Sequence, residues 1–341
     1  MGVSIFVEIE EAFGKTLPLS VLISSPTIAG LATHIDGATP TTSNWKYLVP
    51  IQEKGDLRPL LCMHAAGGNV LFYRDLAKEL GEDQPVYGLQ ARGVADKSET
   101  AHDQVEDMAA EYLREIRSLQ PTGPYRLCGS SFGGLVAFET AQQLKELGED
   151  VELLALFDTY APGLINEELE SDLRNPLPRL GAQVRNACGQ VMAIPSNTER
   201  IRFLLGRLRK LSTQLKRKVI WKRNQFAIEY SKATGKELPV DLQRNHKAID
   251  NALKNYRPDL YKGSLILFRA EDQPDSISRD PYLGWGSFTD TPIHTVKVKG
   301  AHGALTVYPF ASDLADKLRP FLEAVPNKKE LGRASSVAAA A

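Results

Sequence analysis

Cysteine is scarce. Three residues among 341, Cys62, Cys128 and Cys188, are odd in number and widely spaced, and form no C-x-x-C pair. This excludes a disulfide framework and a cysteine-ligated metal site, and reads as reduced core thiols in a cytoplasmic protein. No sign of charge dominates either. Lys and Arg number 41 against 42 Asp and Glu, a formal net charge of −1, so nothing in the balance argues for nucleic acid or a membrane surface. No apolar run approaches the ~20 residues that a membrane span needs. The N-terminus, Met1-Gly2-Val3-Ser4-Ile5-Phe6, has no basic n-region and reads as no signal peptide, and Phe6 stands where a myristoylation signal wants Ser or Thr. Strand patterning is missing over one long stretch, from about 162 to 256, where only helical spacing and loops are legible.

What is present is alternation. Strands are predicted over Leu48–Gln52, Pro59–His64, Pro85–Gln90, Tyr125–Cys128, Val151–Phe157, Gly263–Phe268 and Ile293–Val298. Helices are predicted over Leu71–Leu80, Val105–Leu119, Leu135–Leu147 and Ser312–Glu323. Nearly all-apolar strands alternating with helices imply an α/β fold with a mostly parallel sheet covered on both faces. Ahead of this lies a Gly/Pro/Thr/Ser linker, Asp36–Trp45. Ahead of the linker come two short helical patterns, the second opened by Ser25-Pro26-Thr27 and running to Ile35. Within the strandless stretch Leu204, Leu208, Leu211 and Leu215 form an apolar stripe ringed by Arg and Lys, a strongly basic helix. Residues 326–341 end in four alanines and are expected to be an unstructured tail of the kind a cloning step leaves.

The most telling stretch is Gly129-Ser130-Ser131-Phe132-Gly133, a G-x-S-x-G sequence between a predicted strand and a predicted helix. In that context it reads as a nucleophile elbow with Ser131 at its tip. Neighbours without bulky side chains allow the tight turn, and the following helix aims N–H groups at developing negative charge. A serine hydroxyl needs a base to take its proton and a carboxylate to hold that base. His302, in Gly300-Ala301-His302-Gly303 after the last strand, is in the right place and chain order for the base. His64 follows an earlier strand and suits substrate contact better than base work. Two acids end strands between Ser131 and His302. Asp158 is closely bounded by Phe157 and Thr159, whereas Asp272 sits in the charged run Glu271-Asp272-Gln273-Pro274-Asp275. The oxyanion donors are expected to be the backbone N–H groups of Phe132 and, from the loop His64-Ala65-Ala66-Gly67-Gly68, of Ala66.

These stretches, with Gly88-Leu89-Gln90-Ala91-Arg92-Gly93, Leu156-Phe157-Asp158-Thr159, Tyr256-Arg257-Pro258 and Leu283-Gly284-Trp285, closely resemble the C-terminal thioesterase domain of a nonribosomal peptide synthetase or modular polyketide synthase. The resemblance covers nearly the whole chain. Residues Glu10, Phe13-Gly14, Leu17-Pro18-Leu19-Ser20, Pro26-Thr27-Ile28 and Leu31-Ala32 resemble the back of an acyl or peptidyl carrier domain, beyond its phosphopantetheine serine. The resemblance implies an α/β-hydrolase fold over residues 47–325, with a helical lid at 162–255, a linker at 37–46 and a carrier remnant at 1–36. It implies Ser131 as nucleophile, His302 as base and Asp158 as acid. It further implies a carrier domain of the same synthase as partner, a substrate delivered on 4′-phosphopantetheine, and no cofactor bound by this chain. Release of the acyl chain would follow by hydrolysis or by macrocyclisation. The basic lid helix is a departure from the family that would suit a pantetheine phosphate or an acidic carrier face. The rival readings are a free-standing carboxylesterase or lipase and a non-catalytic carrier-docking module.

Overall fold

The computed structural model describes residues 9, 12–14, 21, 27–37, 45–92, 94, 99, 101–164, 240–273 and 280–323. Apart from the first residues of the helix Val240–Asn255, the described elements belong to one compact unit, Met1–Leu164 with Arg244–Ala341. The chain's second unit, Ile165–Gln243, lies almost wholly outside the described residues, and with it the basic leucine-striped helix. The expected tail at 326–341 lies outside them too.

In chain order the elements are α1 (Ile28–Ile35), β1 (Leu48–Gln52), β2 (Leu60–Met63), α2 (Arg74–Leu80), β3 (Val86–Leu89), α3 (Val105–Leu119), β4 (Tyr125–Ser130), α4 (Phe132–Glu146), β5 (Val151–Phe157), α5 (Val240–Asn255), β6 (Ile266–Asp272), β7 (His294–Ala301) and α6 (Ala311–Glu323). Seven strands form one sheet in the order β1-β3-β2-β4-β5-β6-β7. Only β1 runs antiparallel, against β3, and every other pairing is parallel. Every residue of β2, β3 and β4 is buried, as a central strand roofed on both faces requires. Edge strand β7 instead alternates along its second half, with Val298 and Gly300 buried between exposed neighbours.

Alternation along the strands divides the core. On one face Leu60, Cys62, Val86, Cys128, Ala155, Phe157 and Phe268 meet Leu76 and Ala77 of α2 and Leu314, Leu318 and Leu322 of α6. On the other face α3 and α4 pack together, burying Met108, Tyr112 and Ile116 with Leu135, Val136 and Phe138. Cys62 and Cys128 stand opposite each other on β2 and β4, both free thiols, with Sγ atoms 3.2 Å apart. Burial pushes the Cys128 thiol up, which suits a core residue rather than a reactive one.

Several boundaries differ from expectation, β4 reaching Ser130, α4 starting at Phe132 and β7 running to Ala301 among them. The cap of α1 is Thr27, whose Oγ1 accepts the Gly30 N–H at 3.1 Å, two residues beyond the Ser25 the sequence suggested. The helix after β2 begins as a 3-10 turn at Leu71–Tyr73. Strand β6 starts at Ile266 and continues to Asp272, because pairing with β7 persists past Phe268. Among the described residues no helix is long and apolar enough to cross a membrane.

Candidate active site

Ser131 stands between β4 and α4 with φ 54° and ψ −122°. A non-glycine residue holds so unfavourable a backbone only where its surroundings enforce it. Two glycines supply the room. A Cβ on Gly129 would lie 2.1 Å from the Gly133 carbonyl oxygen, and one on Gly133 would lie 2.5 Å from that of Met63 and 2.6 Å from that of His64. The elbow is therefore pressed against the end of β2 and the loop that follows. Tyr73 fixes that approach from the opposite face. Its buried hydroxyl donates to the Met63 carbonyl at 2.8 Å and accepts the Ser130 N–H at 2.9 Å, tying β2 to β4 just below the serine. The Ser131 N–H donates to the Phe157 carbonyl at 3.0 Å, adding β5.

The loops after β5 and β7 bring in the partners. Ser131 Oγ lies 3.0 Å from His302 Nε2, and His302 Nδ1 lies 2.8 Å from Asp158 Oδ2. A carboxylate can only accept, so Nδ1 carries the proton and Nε2 is left to accept from the serine hydroxyl. Asp158 is 1% exposed. Its other oxygen, Oδ1, accepts the Ala270 N–H at 2.9 Å and a hydrogen bond from Gln273 Nε2. Its backbone also departs from the ordinary, at φ 48°. Asp272, the other acid considered, ends β6 on an exposed stretch opposite Ala301, and the carboxylate bonded to His302 is that of Asp158.

Phe132 opens α4, so its N–H belongs to the first turn, where helical partners are lacking. Across from it the Ala65 carbonyl accepts from Gly68 N–H at 2.8 Å and from His64 Nδ1 at 2.9 Å. In a trans peptide the Ala66 N–H points away from that doubly bonded carbonyl. His64 itself departs from the role expected for it. Its ring is fully buried, and Nε2 accepts the Tyr112 hydroxyl at 2.8 Å, so the side chain is a core fixture and no substrate contact. Burial drives its pKa down to about 4, keeping the ring neutral. The inward turn follows from the backbone: His64 N–H still donates to the Leu89 carbonyl, prolonging the ladder beyond β2.

Sequence reasoning passed over Tyr160, Gln273, Tyr73 and Tyr112. Tyr160 lies flat against His302, with ring centroids 4.9 Å apart and planes 16° from parallel. Gln273 carried a faint signal, lying next to the alternative acid Asp272. The others act through folds of the chain that spacing does not display.

The family model of the thioesterase domain matches residues 58–307. A dimodular nonribosomal peptide synthase of Bacillus subtilis (strain 168) is 41% identical over 160 residues, 47% of this chain and 7% of that protein. The chain thus spans only a small part of the length of such relatives. A four-domain nonribosomal peptide synthetase, solved in its holo form with AMP and glycine, superposes with a TM-score of 0.59 at 20% identity, over 95% of this chain and 24% of that one. The NocB thioesterase domain, solved as a covalent complex with a fluorophosphonate nocardicin G analog, superposes at 0.54 and 23% identity, over 81% of this chain and 99% of that one. At these identities the superpositions speak for the fold, a mostly parallel α/β-hydrolase sheet, and the family match speaks for the chemistry. The chain belongs to the thioesterase domain family, a family of hydrolases.

Proposed function

We propose that this thioesterase releases an acyl chain, polyketide or peptide, from the phosphopantetheine arm of a carrier domain in the same synthase, in the cytoplasm. The observation that carries the reading is the run of hydrogen bonds from Ser131 Oγ through His302 to Asp158, at 3.0 and 2.8 Å, on a strained elbow. Ser131 Oγ attacks the thioester carbonyl while His302 Nε2 takes the hydroxyl proton. Asp158 holds the imidazole in the accepting tautomer and balances the imidazolium that forms. The N–H groups of Phe132 and Ala66 face the tetrahedral oxyanion. As the C–S bond breaks, the pantetheine sulfur receives the proton from His302 and leaves as the thiol. The acyl group then sits on Ser131 until water, or an internal hydroxyl or amine, takes it with His302 again as base. Residues 1–36 serve as the back of the carrier domain, 37–46 as a linker, 47–325 as the thioesterase and 162–255 as its lid. The choice between hydrolysis and ring closure belongs to the lid, whose exclusion of water decides the nucleophile.

The test uses an acyl-pantetheine thioester and intact-mass detection of the acylated protein. Ser131→Ala should form no acyl-enzyme, and His302→Ala should slow acylation by a factor on the order of 10³ or more. Normal turnover by Ser131→Ala would overturn the reading. Ester turnover far above thioester turnover in the unaltered protein would favour a simple esterase instead.

A further inference from the structure

Tyr160 lies on the face of the His302 ring, and Gln273 on the Asp158 oxygen that His302 does not use. Tyr160 follows Asp158 by two residues, and its backbone neighbours are pinned: the Thr159 carbonyl accepts the Trp285 indole N–H at 2.9 Å, and the Ala161 N–H donates to the Leu283 carbonyl at 2.9 Å. Between these anchors the Tyr160 side chain, 7% exposed, has little freedom, and its ring lies on the His302 imidazole. Its hydroxyl donates to Gln273 Oε1 at 3.1 Å. Burial, and after it the Asp158 charge, hold the Tyr160 phenol well above its ordinary value, so the hydroxyl stays a donor. That choice fixes the amide. With Oε1 accepting from Tyr160, Nε2 must face Asp158, where it donates to Oδ1.

Resting on the assignment of His302 and Asp158 as base and acid, we propose that Tyr160 and Gln273 form a positioning brace, Tyr160 holding the plane of the His302 ring and Gln273 holding the carboxylate oxygen that His302 does not use. Neither touches the reacting atoms. The brace works in two ways. A tyrosine face stabilises a cation lying on it, by roughly 0.5–2 kcal/mol as burial increases, and His302 becomes a cation when it takes the Ser131 proton. The amide stops Asp158 from rotating, so that Oδ2 stays in line with Nδ1, and small losses of such alignment are expensive in rate. The place beside Asp272 at the end of β6, where a second carboxylate would repel Asp158, is thereby used by a neutral donor.

The experiment measures kcat and KM with an acyl-pantetheine thioester, and the rate of Ser131 labelling by a fluorophosphonate. Tyr160→Leu and Gln273→Leu should each lower kcat and the labelling rate in parallel by about tenfold while KM moves less than about twofold, the size expected of a lost positioning contact. Tyr160→Phe keeps the ring and loses the hydroxyl, and should recover most of the rate lost by Tyr160→Leu. Gln273→Glu sets two carboxylates side by side and should be worse than Gln273→Leu. If Tyr160→Leu does not fold, Gln273→Leu and Gln273→Glu carry the same comparison. Unchanged kcat in both leucine variants, a loss confined to KM, or Tyr160→Phe as slow as Tyr160→Leu would each overturn the brace. His302→Ala, measured alongside, separates the two ideas. Near-normal labelling in that variant would sink the acid–base assignment itself, whereas an inactive His302→Ala beside normal brace variants would sink only the brace.

Discussion

At Ser131 the tight turn of the elbow is bought with backbone strain. A φ of 54° with ψ of −122° is a conformation that residues with a Cβ avoid, at a cost of roughly 1–3 kcal/mol. Glycine escapes that cost and loses only about 0.5–1 kcal/mol in chain entropy. Two variants without the hydroxyl therefore isolate the strain. Ser131→Gly should be more stable than Ser131→Ala by about 1 kcal/mol in urea unfolding. Equal stability, or a less stable glycine variant, would show that the elbow is relaxed. That Ser131 and His302 would meet beside a carboxylate was legible in the sequence, because each stands at a strand end; strand ends alone left Asp272 beside Asp158, and the carboxylate bonded to His302 is that of Asp158. His64 was misread because its motif position says loop, while the ladder bond to Leu89 turns its ring into the core. Gln273 was barely legible for a different reason: its partner Asp158 follows another strand, and the parallel pairing of β5 with β6 brings the two together.

Among the elements, β1 is the one whose hold is least expected. It is an edge strand, and where the chain enters it the backbone N–H groups go to α3, while the Tyr47 carbonyl accepts the Gln90 N–H at 2.9 Å. The Glu115 carboxylate accepts the N–H of Lys46 at 2.6 Å, of Tyr47 at 2.8 Å and of Leu48 at 2.6 Å, while Ser118 accepts the Trp45 indole N–H at 2.8 Å. One side chain thus satisfies three backbone donors where the chain enters the hydrolase fold. Bonds to a charged acceptor are each worth about 1.5–3 kcal/mol when broken singly, and they share one carboxylate, so Glu115→Ala should cost about 2–3 kcal/mol in total. Hydrogen exchange locates the effect: amides of Lys46, Tyr47 and Leu48 should lose protection while those of β4 keep theirs. Undiminished protection at the three amides would refute the clasp. The same scale shows where sequence reading stops. Helix α3 and strand β5 fall where periodicity put them, since each spans a full apolar pattern of its own. The ends of β6 and the 3-10 turn before α2 do not, because partners elsewhere set them. Pairing with β7 carries β6 to Asp272, and Tyr73 is drawn toward Met63 and Ser130.

For the whole molecule the consequence is a limit on the acid side. His64 joins the end of β2, the loop carrying Ala66 and, through Tyr112, helix α3. Unfolded, its imidazole binds a proton near pH 6.5. Folded, burial delays that proton until about pH 4, and His102 adds to the delay. The unfolded chain thus binds more protons between those values, and stability is full above pH 6.5 and falls as pH drops toward 4. By pH 5 this one group removes roughly 2 kcal/mol. Half-buried His102, lowered mainly by burial and opposed chiefly by Glu111, has the same sign. Glu139 has the opposite sign: burial holds its carboxyl above the ordinary value despite bonds from Gln143 and Tyr256, so it takes its proton first in the folded state. A difference between two proteins removes these background terms. His64→Asn, which cannot titrate, should be less stable than the unaltered chain at pH 7, because the Tyr112 hydroxyl loses its acceptor. Between pH 7 and pH 5, however, it should lose about 2 kcal/mol less than the unaltered chain in urea unfolding. Parallel losses in the two proteins would mean that His64 is not the group that sets the acid limit, and that the loop carrying Ala66 withstands protonation of the ring beneath it.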